Sequence, residues 1–368
     1  MAPLFTGLKF GFGRAEVAGP SGPSGQIINI SPALPGGRTT WDFGTDGNLV
    51  INEYSTRSFE FASPFTKYVS VFGGGSGSYV SPQPAVGAGS ALYLLLGGSG
   101  GAIRAQVNFT SGTTYWIHVG EGALNTGVYG AVYAGGGASA LTLAPSSTGT
   151  EILVAGGGGG NGNYFLGPGP GPFTSPYSHG SGANTGLPGT IPGPPGSGTP
   201  GSGTTGGAAG ATNRSSNAQP GGNAPRGKGG NSGYTSGSSG QYADGGRSGY
   251  AAGGSTSNTP GDGPGSAGGG GYAGGGGTNN SSGSLGSGGA GNGYHNPSYV
   301  VVPTVTAVSG LSVFIGPNTY PIPADAFTNP TPVNTLGSFP TNYGAGGGGD
   351  SVGTYGRTGA PGAFIIEA

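Results

Sequence analysis

The stretch Glu151-Ile-Leu-Val-Ala155, followed at once by Gly156-Gly-Gly-Gly-Gly160, decides the fold. Its first half is a short apolar run, which is typical of a buried β-strand. Its second half has no side chains to bury, and glycine loses more conformational freedom on folding than any other residue. The stretch therefore predicts a β-domain whose chain leaves the sheet to enter a structure built from glycine.

Short strand patterns recur on both sides of this stretch. In residues 102–109 apolar side chains alternate with Arg104, Gln106 and Asn108, which predicts a strand with one buried face. No spacing typical of an amphipathic helix is sustained, so we predict little or no α-helix. Short strands separated by Gly and Pro favour an all-β fold, an antiparallel β-sandwich or jelly-roll-like platform. The predicted strands are 48–54, 58–62, 67–72, 91–96, 102–109, 113–119, 138–144, 151–155, 298–308, 311–315 and 363–367.

The composition argues against plain disorder. Glycine contributes 92 of the 368 residues and proline 31, which normally indicates a low-complexity chain. Aromatic residues make up 10% and charged residues only 6%, whereas disordered chains are rich in charge and poor in aromatics. The net charge of −1 gives little self-repulsion. We therefore expect the apolar material to be packed.

The glycine-rich part has two readings. A collagen triple helix needs glycine at every third position, and Gly186 and Gly189 are followed by Gly193, which is out of phase. The remaining alternatives are a flexible linker and a bundle of polyglycine-II helices. The latter are extended helices with three residues per turn, whose backbone groups pair with neighbouring helices. We favour the bundle and predict that residues 156–296 are ordered without conventional sheet or helix.

These patterns divide the chain into four parts. Residues 1–25 form an N-terminal anchoring arm and linker, 26–155 the first part of the β-domain, and 156–297 the glycine-rich, polyglycine-II-like insert. Residues 298–368 complete the β-domain with a C-terminal strand. The apolar run Phe364-Ile-Ile366 needs strand partners, and we expect it to find them in the sheet system of residues 67–155.

Signals for catalysis or cofactor binding are weak, and we expect no enzyme activity, no cofactor and no metal. Arg226-Gly-Lys228 is followed by Gly229, where a phosphate-binding loop requires Ser or Thr. His118, His179 and His295 are not at metal-ligand spacing. The sequence has no cysteine, no basic run for nucleic acid and no apolar stretch of about 18 residues to span a membrane.

The order of these features resembles a known family. An apolar strand leads into the glycine run 156–160, a long glycine-rich excursion follows, and Gly359-Ala-Pro-Gly-Ala-Phe-Ile-Ile366 closes the chain. This is similar to the glycine-rich proteins of bacteriophage tail and neck fibres and tip adhesins. The opening, Leu4-Phe-Thr-Gly-Leu-Lys-Phe-Gly-Phe-Gly13, also resembles N-terminal segments of phage fibre proteins. The resemblance implies polyglycine-II helices held by a β-platform, and a place in the virion.

Two groups of aromatic and aliphatic residues are candidate contact sites. An apolar arm before a Pro/Gly linker favours docking to a partner, for example as an added strand, over a frayed terminus; its residues are Phe5, Leu8, Phe10 and Phe12. Aromatics of the insert either seal it against the platform or a neighbouring subunit, which we favour, or stack on sugars. They are Tyr164, Phe165, Phe173, Tyr177, Tyr234, Tyr242, Tyr250 and Tyr272.

The sequence thus predicts a non-enzymatic structural protein of a bacteriophage virion, associated with a fibre, tail or neck. Expected partners are other virion proteins, which the arm binds, and identical copies in a homo-oligomer. A host surface glycan or outer-membrane protein is a further partner if the body recognises the host. The alternatives are a self-assembling extracellular filament subunit and a glycan-binding adhesin. No nucleic acid or membrane is an expected partner.

Overall fold

The protein is an antiparallel all-β structure in its described part. Within that part the ordered elements are strands, and none is a helix. The predicted all-β fold class is confirmed; the sandwich or jelly-roll arrangement and the polyglycine-II character of the insert stay predictions. A computed structural model describes residues 26–76, 79–81, 93–95, 98, 100–123, 134–146, 149–160, 198–210, 218–232, 241–243, 245–257, 266–278, 288–301, 306–308 and 359–368.

The strands are numbered in chain order. The predicted strands over 102–109 and 151–155 have the bounds expected, the predicted strand 311–315 lies outside the described residues, and the others are shifted or shortened at their ends. The strands are β1 Ile27–Leu34, β2 Arg38–Asp42, β3 Leu49–Ile51, β4 Ser55–Phe61, β5 Phe65–Phe72, β6 Tyr79–Ser81, β7 Tyr93–Leu95, β8 Ala102–Phe109, β9 Thr114–Val119, β10 Ser139–Thr142, β11 Glu151–Ala155, β12 Gln241–Ala243, β13 Thr256–Ser257, β14 Tyr294–His295, β15 Thr306–Val308 and β16 Ala363–Ile366.

Two larger sheets contain most of these strands, and we call them the platform. One has seven strands in the order β14-β11-β10-β9-β4-β1-β2, and the other has five in the order β15-β8-β5-β16-β3. The chain connects their edges on both sides, from β2 to β3 and from β14 to β15. Two small sheets, β6-β7 and β12-β13, complete the set. The prediction that residues 156–296 contain no conventional sheet is wrong, because β12 pairs with β13 and β14 pairs with β11.

A single hydrophobic cluster takes side chains from both platform sheets. Phe61 of β4 and Phe109 of β8 lie on different sheets, and their ring centroids are 4.8 Å apart. The predicted alternation in β8 is confirmed, because Ile103, Ala105 and Val107 are buried in this cluster. Full burial of a Val, Ile or Phe side chain stabilises the fold by roughly 1.5–3 kcal/mol.

The apolar run near residue 365 forms β16, which lies between β5 and β3 in the five-stranded sheet. Phe364 and Ile366 face the shared core and are fully buried. The prediction that this run pairs within the sheet system of residues 67–155 is confirmed, since Ile365 aligns with Ser70 of β5. A strand at the end of the printed sequence is therefore internal to the sheet.

Sequence analysis missed the hairpin of β1 and β2. Ile28 and Ile30 are buried and alternate with exposed residues, so the period of two was present. The turn contains Gly36 and Gly37 with φ of +83° and +82°, a conformation that favours glycine. Two glycines between a run of alternating apolar and polar residues and a polar run indicate a hairpin turn. The nearby Pro/Gly linker made this signal hard to distinguish from linker sequence.

Glycine segments beyond the strands hydrogen-bond with a period of three. In segment 268–271 the first and last amides donate to carbonyls of segment 227–230, whereas the two amides between them donate to Gly289 and Gly136. Donor–acceptor distances are 2.9–3.0 Å. The amides of segment 268–271 thus donate to three neighbouring segments, and its carbonyls accept from three others, at Gly254, Gly275 and Gly157. A strand inside a sheet has only two neighbours.

The same period appears in other segments. The first and last amides of segment 274–277 donate to segment 219–222, and the two between donate to Gly269 and Thr199. We call these hydrogen-bonded segments the glycine network. It is not confined to residues 156–297. Its platform members are 73–76, 98, 100–101, 120–123, 134–138 and 359–362.

The network requires glycine because its backbones lie too close together for a Cβ. A Cβ at Gly275 would overlap the carbonyl group of Gly289, and one at Gly136 would overlap the carbonyl group of Gly74. Backbone atoms cannot move aside as a flexible side chain does. In the network, backbone hydrogen bonds therefore take the place of side-chain packing. Each contributes about 1 kcal/mol net to the stability of the fold.

Candidate functional site

The insert rests on the outer face of the seven-stranded sheet over β9, β10 and β11. A second hydrophobic cluster forms there from Ala138, Ala140, Val154, Tyr250 and Ala251, with half-buried Tyr272 and Tyr294 against it. This contact explains why every residue of β10 and β11 is buried, since both faces of these strands are covered. We call the polar groups beside this cluster the junction; they are Thr56, His118, Thr142, Glu151, Arg226 and Tyr250.

Arg226 is the insert's main polar contact with the platform. Its Nη2 donates to the carbonyl oxygen of Ala144 at 3.1 Å, and its guanidinium lies 4.8 Å from the ring centroid of Tyr250. Its backbone has φ of +62°, which costs a non-glycine residue about 1–2 kcal/mol. The side-chain contacts offset this strain and hold the loop against β10.

Glu151 faces Arg226 from the start of β11. Glu151 Oε1 lies 3.6 Å from Arg226 Nε, and the two side chains are 9% and 7% exposed. Neither of these two atoms has a hydrogen-bond partner among the described residues, so the attraction between the charges is not reinforced. Burial raises the pKa of Glu151, although Arg226 acts in the opposite direction.

His118 lies at the centre of a hydrogen-bond chain that crosses three strands. Its Nδ1 is 3.2 Å from Thr56 Oγ1, and its Nε2 is 3.1 Å from Thr142 Oγ1. Thr142 Oγ1 donates its proton to the carbonyl of Ala144 at 2.7 Å. Because that hydroxyl proton is used, His118 Nε2 must donate and Nδ1 must accept from Thr56. The geometry therefore assigns the neutral Nε2–H tautomer.

Burial favours neutral side chains throughout the junction. Burial, with a smaller contribution from the charge of Arg226, lowers the pKa of His118 to about 4. Burial also raises the pKa of Tyr250 well above its usual value. The stacked rings of Tyr272 and Tyr294, with centroids 4.0 Å apart, have raised pKa values for the same main reason.

At the junction the backbone of the insert lies against side chains of the platform. A Cβ built on Gly249 would collide with the Thr56 hydroxyl and lie within 2.9 Å of His118 Nδ1, so the insert backbone lies directly over the imidazole. The nearby hydroxyl of Ser248 donates to the carbonyl of Ala138 at 2.6 Å. Its lone pairs accept from the backbone amides of Tyr250 and Ala251. These groups hold segments together.

Metal ligands do not converge where the structure is described. Those residues contain no group of three or more His, Cys, Asp or Glu that fits an ion. His118 and His295 lie on β9 and β14, with β10 and β11 between them. His179 lies outside the described residues.

Most of the predicted contact residues fall outside the described part of the chain. These are Phe5, Leu8, Phe10 and Phe12 of the arm, and Tyr164, Phe165, Phe173, Tyr177 and Tyr234 of the insert. The backbone of Tyr242 is described as part of β12. Tyr250 and Tyr272 are brought together against the platform, as the sealing interpretation predicted for them.

The polar groups of the junction were not predicted as a site. From the sequence, Arg226 enters only a failed phosphate-loop motif, and Glu151 only the start of the predicted strand 151–155. One signal was available: Glu151 is a charged residue that opens an otherwise apolar strand, and such a residue needs a partner when buried. Its partner, Arg226, lies 75 positions away. No periodic pattern connects the two positions, so the sequence does not predict the pair.

Comparison with known protein families and with curated proteins finds no match for this chain. In the described residues, no helix has the length and apolar character needed to cross a membrane.

Proposed function

We propose that this chain is a non-enzymatic structural protein of a bacteriophage virion, a fibre-, tail- or neck-associated component that exposes a rigid glycine-rich body. The observation that carries the proposal is the three-residue hydrogen-bonding period of the glycine network. A period of three is the repeat of polyproline-II-type helices, which have no internal hydrogen bonds. Lateral pairing of each segment with more than two neighbours supports the reading of the network as a polyglycine-II bundle, and the resemblance to phage fibre proteins supplies the virion context.

The platform supports the proposal by fixing the glycine segments at one end. Seven platform strands continue directly into, or begin directly from, a glycine segment: β5, β8, β9, β10, β11, β14 and β16. Gly74 of the segment after β5 donates to Gly137 before β10 at 2.8 Å, and Gly75 donates to Ala360 before β16 at 2.9 Å. The platform thus holds these chain ends at spacings that let the glycine backbones pair.

The charge distribution is consistent with a body that contacts few soluble charged ligands. Each of the five arginines in the described part of the chain is paired with a carboxylate. With charged residues at 6% of the sequence, little charge is left for a long-range field. A nearly neutral body suits repeated copies placed side by side, and symmetric homo-oligomers are the commonest soluble assemblies.

The test is incorporation into a virus particle. Phe5, Leu8, Phe10 and Phe12 are replaced together by Ser, and mass spectrometry measures the chain in purified particles. We expect the variant to fold with unchanged circular dichroism and to be missing from particles, because the apolar arm is the proposed docking element.

A matched variant carries Ser21→Ala and Ser24→Ala in the linker, which leaves the arm intact and should be incorporated normally. Normal incorporation of the arm variant would refute the docking role. Absence of the unmodified chain from purified particles would refute the virion assignment itself.

A further inference from the structure

We propose that the junction is an acid-sensitive latch, in which a proton on His118 loosens insert segments 223–227 and 247–251 from the seven-stranded sheet. This inference concerns the joint between insert and platform and does not depend on the virion assignment. It rests on the direction of the hydrogen bonds around His118, on the insert backbone above it, and on the charges that face it.

The hydrogen bonds at His118 are arranged for a neutral ring. The Thr142 hydroxyl proton is directed to the Ala144 carbonyl, so the ring donates from Nε2 and accepts at Nδ1. A second proton would occupy Nδ1, where the Thr56 hydroxyl now donates. Thr56 would have to turn its proton away, and it lies directly beneath Gly249 of the insert.

The insert closes the site from above. His118 is 0% exposed, and its ring centroid is 6.2 Å from that of Tyr250. Gly249 covers Thr56 and the Nδ1 side of the ring, and its carbonyl accepts from Arg226 Nη1 at 3.4 Å. Water reaches a protonated imidazole here only if segment 247–251 moves.

Charged groups face His118 from several elements. Arg226 comes from the insert, and its positive charge opposes protonation of the ring. Glu151 comes from β11 and pairs with Arg226, while Tyr250 of the insert stays neutral because it is buried. Beside the cluster, Tyr272 and Tyr294 are also neutral at ordinary pH. At the opposite end of segment 247–251, Arg247 pairs with Glu121 at 2.6 Å.

The signs of the two main titrations are opposite. The lowered pKa of His118, about 4 in the closed state against 6.5 for an exposed ring, makes closure weaker as pH falls from 6.5 towards 4. The raised pKa of Glu151 makes closure stronger as pH falls towards 4.5, because the closed state binds that proton more readily. The titration of His118 should dominate the pH dependence of closure, because protonation of Glu151 leaves the Arg226 charge uncompensated beside the His118 ring.

Amide hydrogen exchange of the full chain tests the latch. Exchange rates of peptides that cover segments 223–227 and 247–251 are measured at pH 7 and pH 4 and corrected for the intrinsic pH dependence. We expect opening to increase on the order of a hundredfold in these segments, from the difference of about two and a half pKa units. Peptides from β5 and β8 should keep their protection.

Two variants and one direct measurement make the test specific. His118→Gln removes the titration while keeping an amide donor, and should abolish the acid response; His295→Gln, on β14 of the same sheet, should retain it. Histidine-selective ¹⁵N NMR of the unmodified protein should show the neutral Nε2–H form of His118 at pH 7, whether or not the variant folds. An equal acid response in His118→Gln, tighter closure at pH 4, or an Nδ1–H tautomer would overturn the proposal.

Discussion

At the scale of single residues, arginine placement connects the insert to the platform. In four cases the arginine that pairs with a carboxylate also lies over an aromatic ring: Arg38 on Trp41, Arg104 on Tyr68, Arg226 on Tyr250 and Arg247 on Tyr54. Two of these, Arg226 and Arg247, belong to the insert and reach carboxylates of the platform, Glu151 and Glu121. A planar guanidinium both stacks and pairs, so each arginine fixes a loop in position.

The two insert arginines differ in burial, which gives a matched comparison. We expect Arg226→Gln to lower the free energy of unfolding at pH 7 by about 3 kcal/mol, because Glu151 would stay buried without its counter-charge. Urea denaturation measures the change. The loss should shrink at pH 5, where Glu151, whose pKa is already raised by burial, takes up a proton more readily.

Arg247→Gln is the control for this prediction. The Arg247 side chain is 59% exposed, and an exposed ion pair contributes little because water and salt screen it. Its denaturation midpoint should stay close to that of the unmodified protein. Equal losses of unfolding free energy in the two variants would contradict the conclusion that the buried Arg226–Glu151 pair matters more for stability than the exposed Arg247–Glu121 pair.

At the scale of elements, the informative feature is the passage from strand to glycine segment. A strand such as β11 pairs with two neighbours in its sheet. The next five residues, 156–160, pair with segments 267–270 and 288–291 and also with Gly74, Gly101 and Gly136. Pairing with more than two neighbours is possible only where no Cβ stands between backbones, which is why the change coincides with the first glycine.

Gly275 and Gly203 illustrate two different reasons why a position requires glycine: close approach of another backbone and a positive φ. Gly275→Ala places a methyl group against the Gly289 carbonyl, and we expect a loss of more than about 3 kcal/mol, or failure to fold, because two backbones must separate. Gly203 has φ of +55° with open space around its Cβ position, so Gly203→Ala should cost only about 1 kcal/mol of backbone strain. Thermal denaturation measures both; a tolerated Gly275→Ala would argue against close lateral packing.

Strand β16 gives the second prediction at this scale. Deleting residues 361–368 removes the strand between β5 and β3, so both would lose a partner and the core would lose Phe364 and Ile366. We expect an insoluble or unfolded product, assessed by solubility and circular dichroism.

Glu367→Gln is the control for that deletion. It removes only the partly exposed pair with Arg104, and should leave the protein folded with a small change in melting temperature. A truncated protein with unchanged melting behaviour would show that β16 is dispensable for the sheet.

At the scale of the whole molecule, platform and glycine network share their hydrogen bonds. Gly136, before β10, accepts from Gly270 of the insert at 3.0 Å, and Gly101, before β8, donates to Gly156 at 2.8 Å. The junction adds side-chain contacts between the same two parts. No boundary of weak contact separates them among the described residues, so they should behave as one cooperative unit.

Unfolding should therefore occur in a single transition. Differential scanning calorimetry is expected to give one peak, with the far-ultraviolet signal and the loss of amide protection in segments 266–278 following the same curve. A variant weakened only in the platform, Phe61→Ala, should lower the midpoint of both signals equally. Two separated transitions would show that the network is an independent layer on a self-sufficient platform.

The sequence by itself determined the all-β class and several of the larger strands. Alternation in β8 and β9 and the apolar runs of β11 and β16 follow from residue types and a period of two, which are local properties. Local pattern also located the place where the chain leaves the sheet, because five glycines follow Ala155 without interruption. The β1-β2 hairpin was equally local, and it was missed only because its Gly-Gly turn lay near a Pro/Gly linker.

Tertiary structure alone decided what the glycines pair with and where the insert rests. A glycine has no side chain to mark its partner, so nothing in the sequence tells that segment 268–271 meets residues as distant as Gly136. The junction is non-local for a related reason: Glu151 and His118 are buried only because Arg226 and Gly249 arrive from the far side of the insert. Side-chain pattern encodes burial along a strand, whereas backbone pairing without side chains is fixed by the fold that brings the segments together.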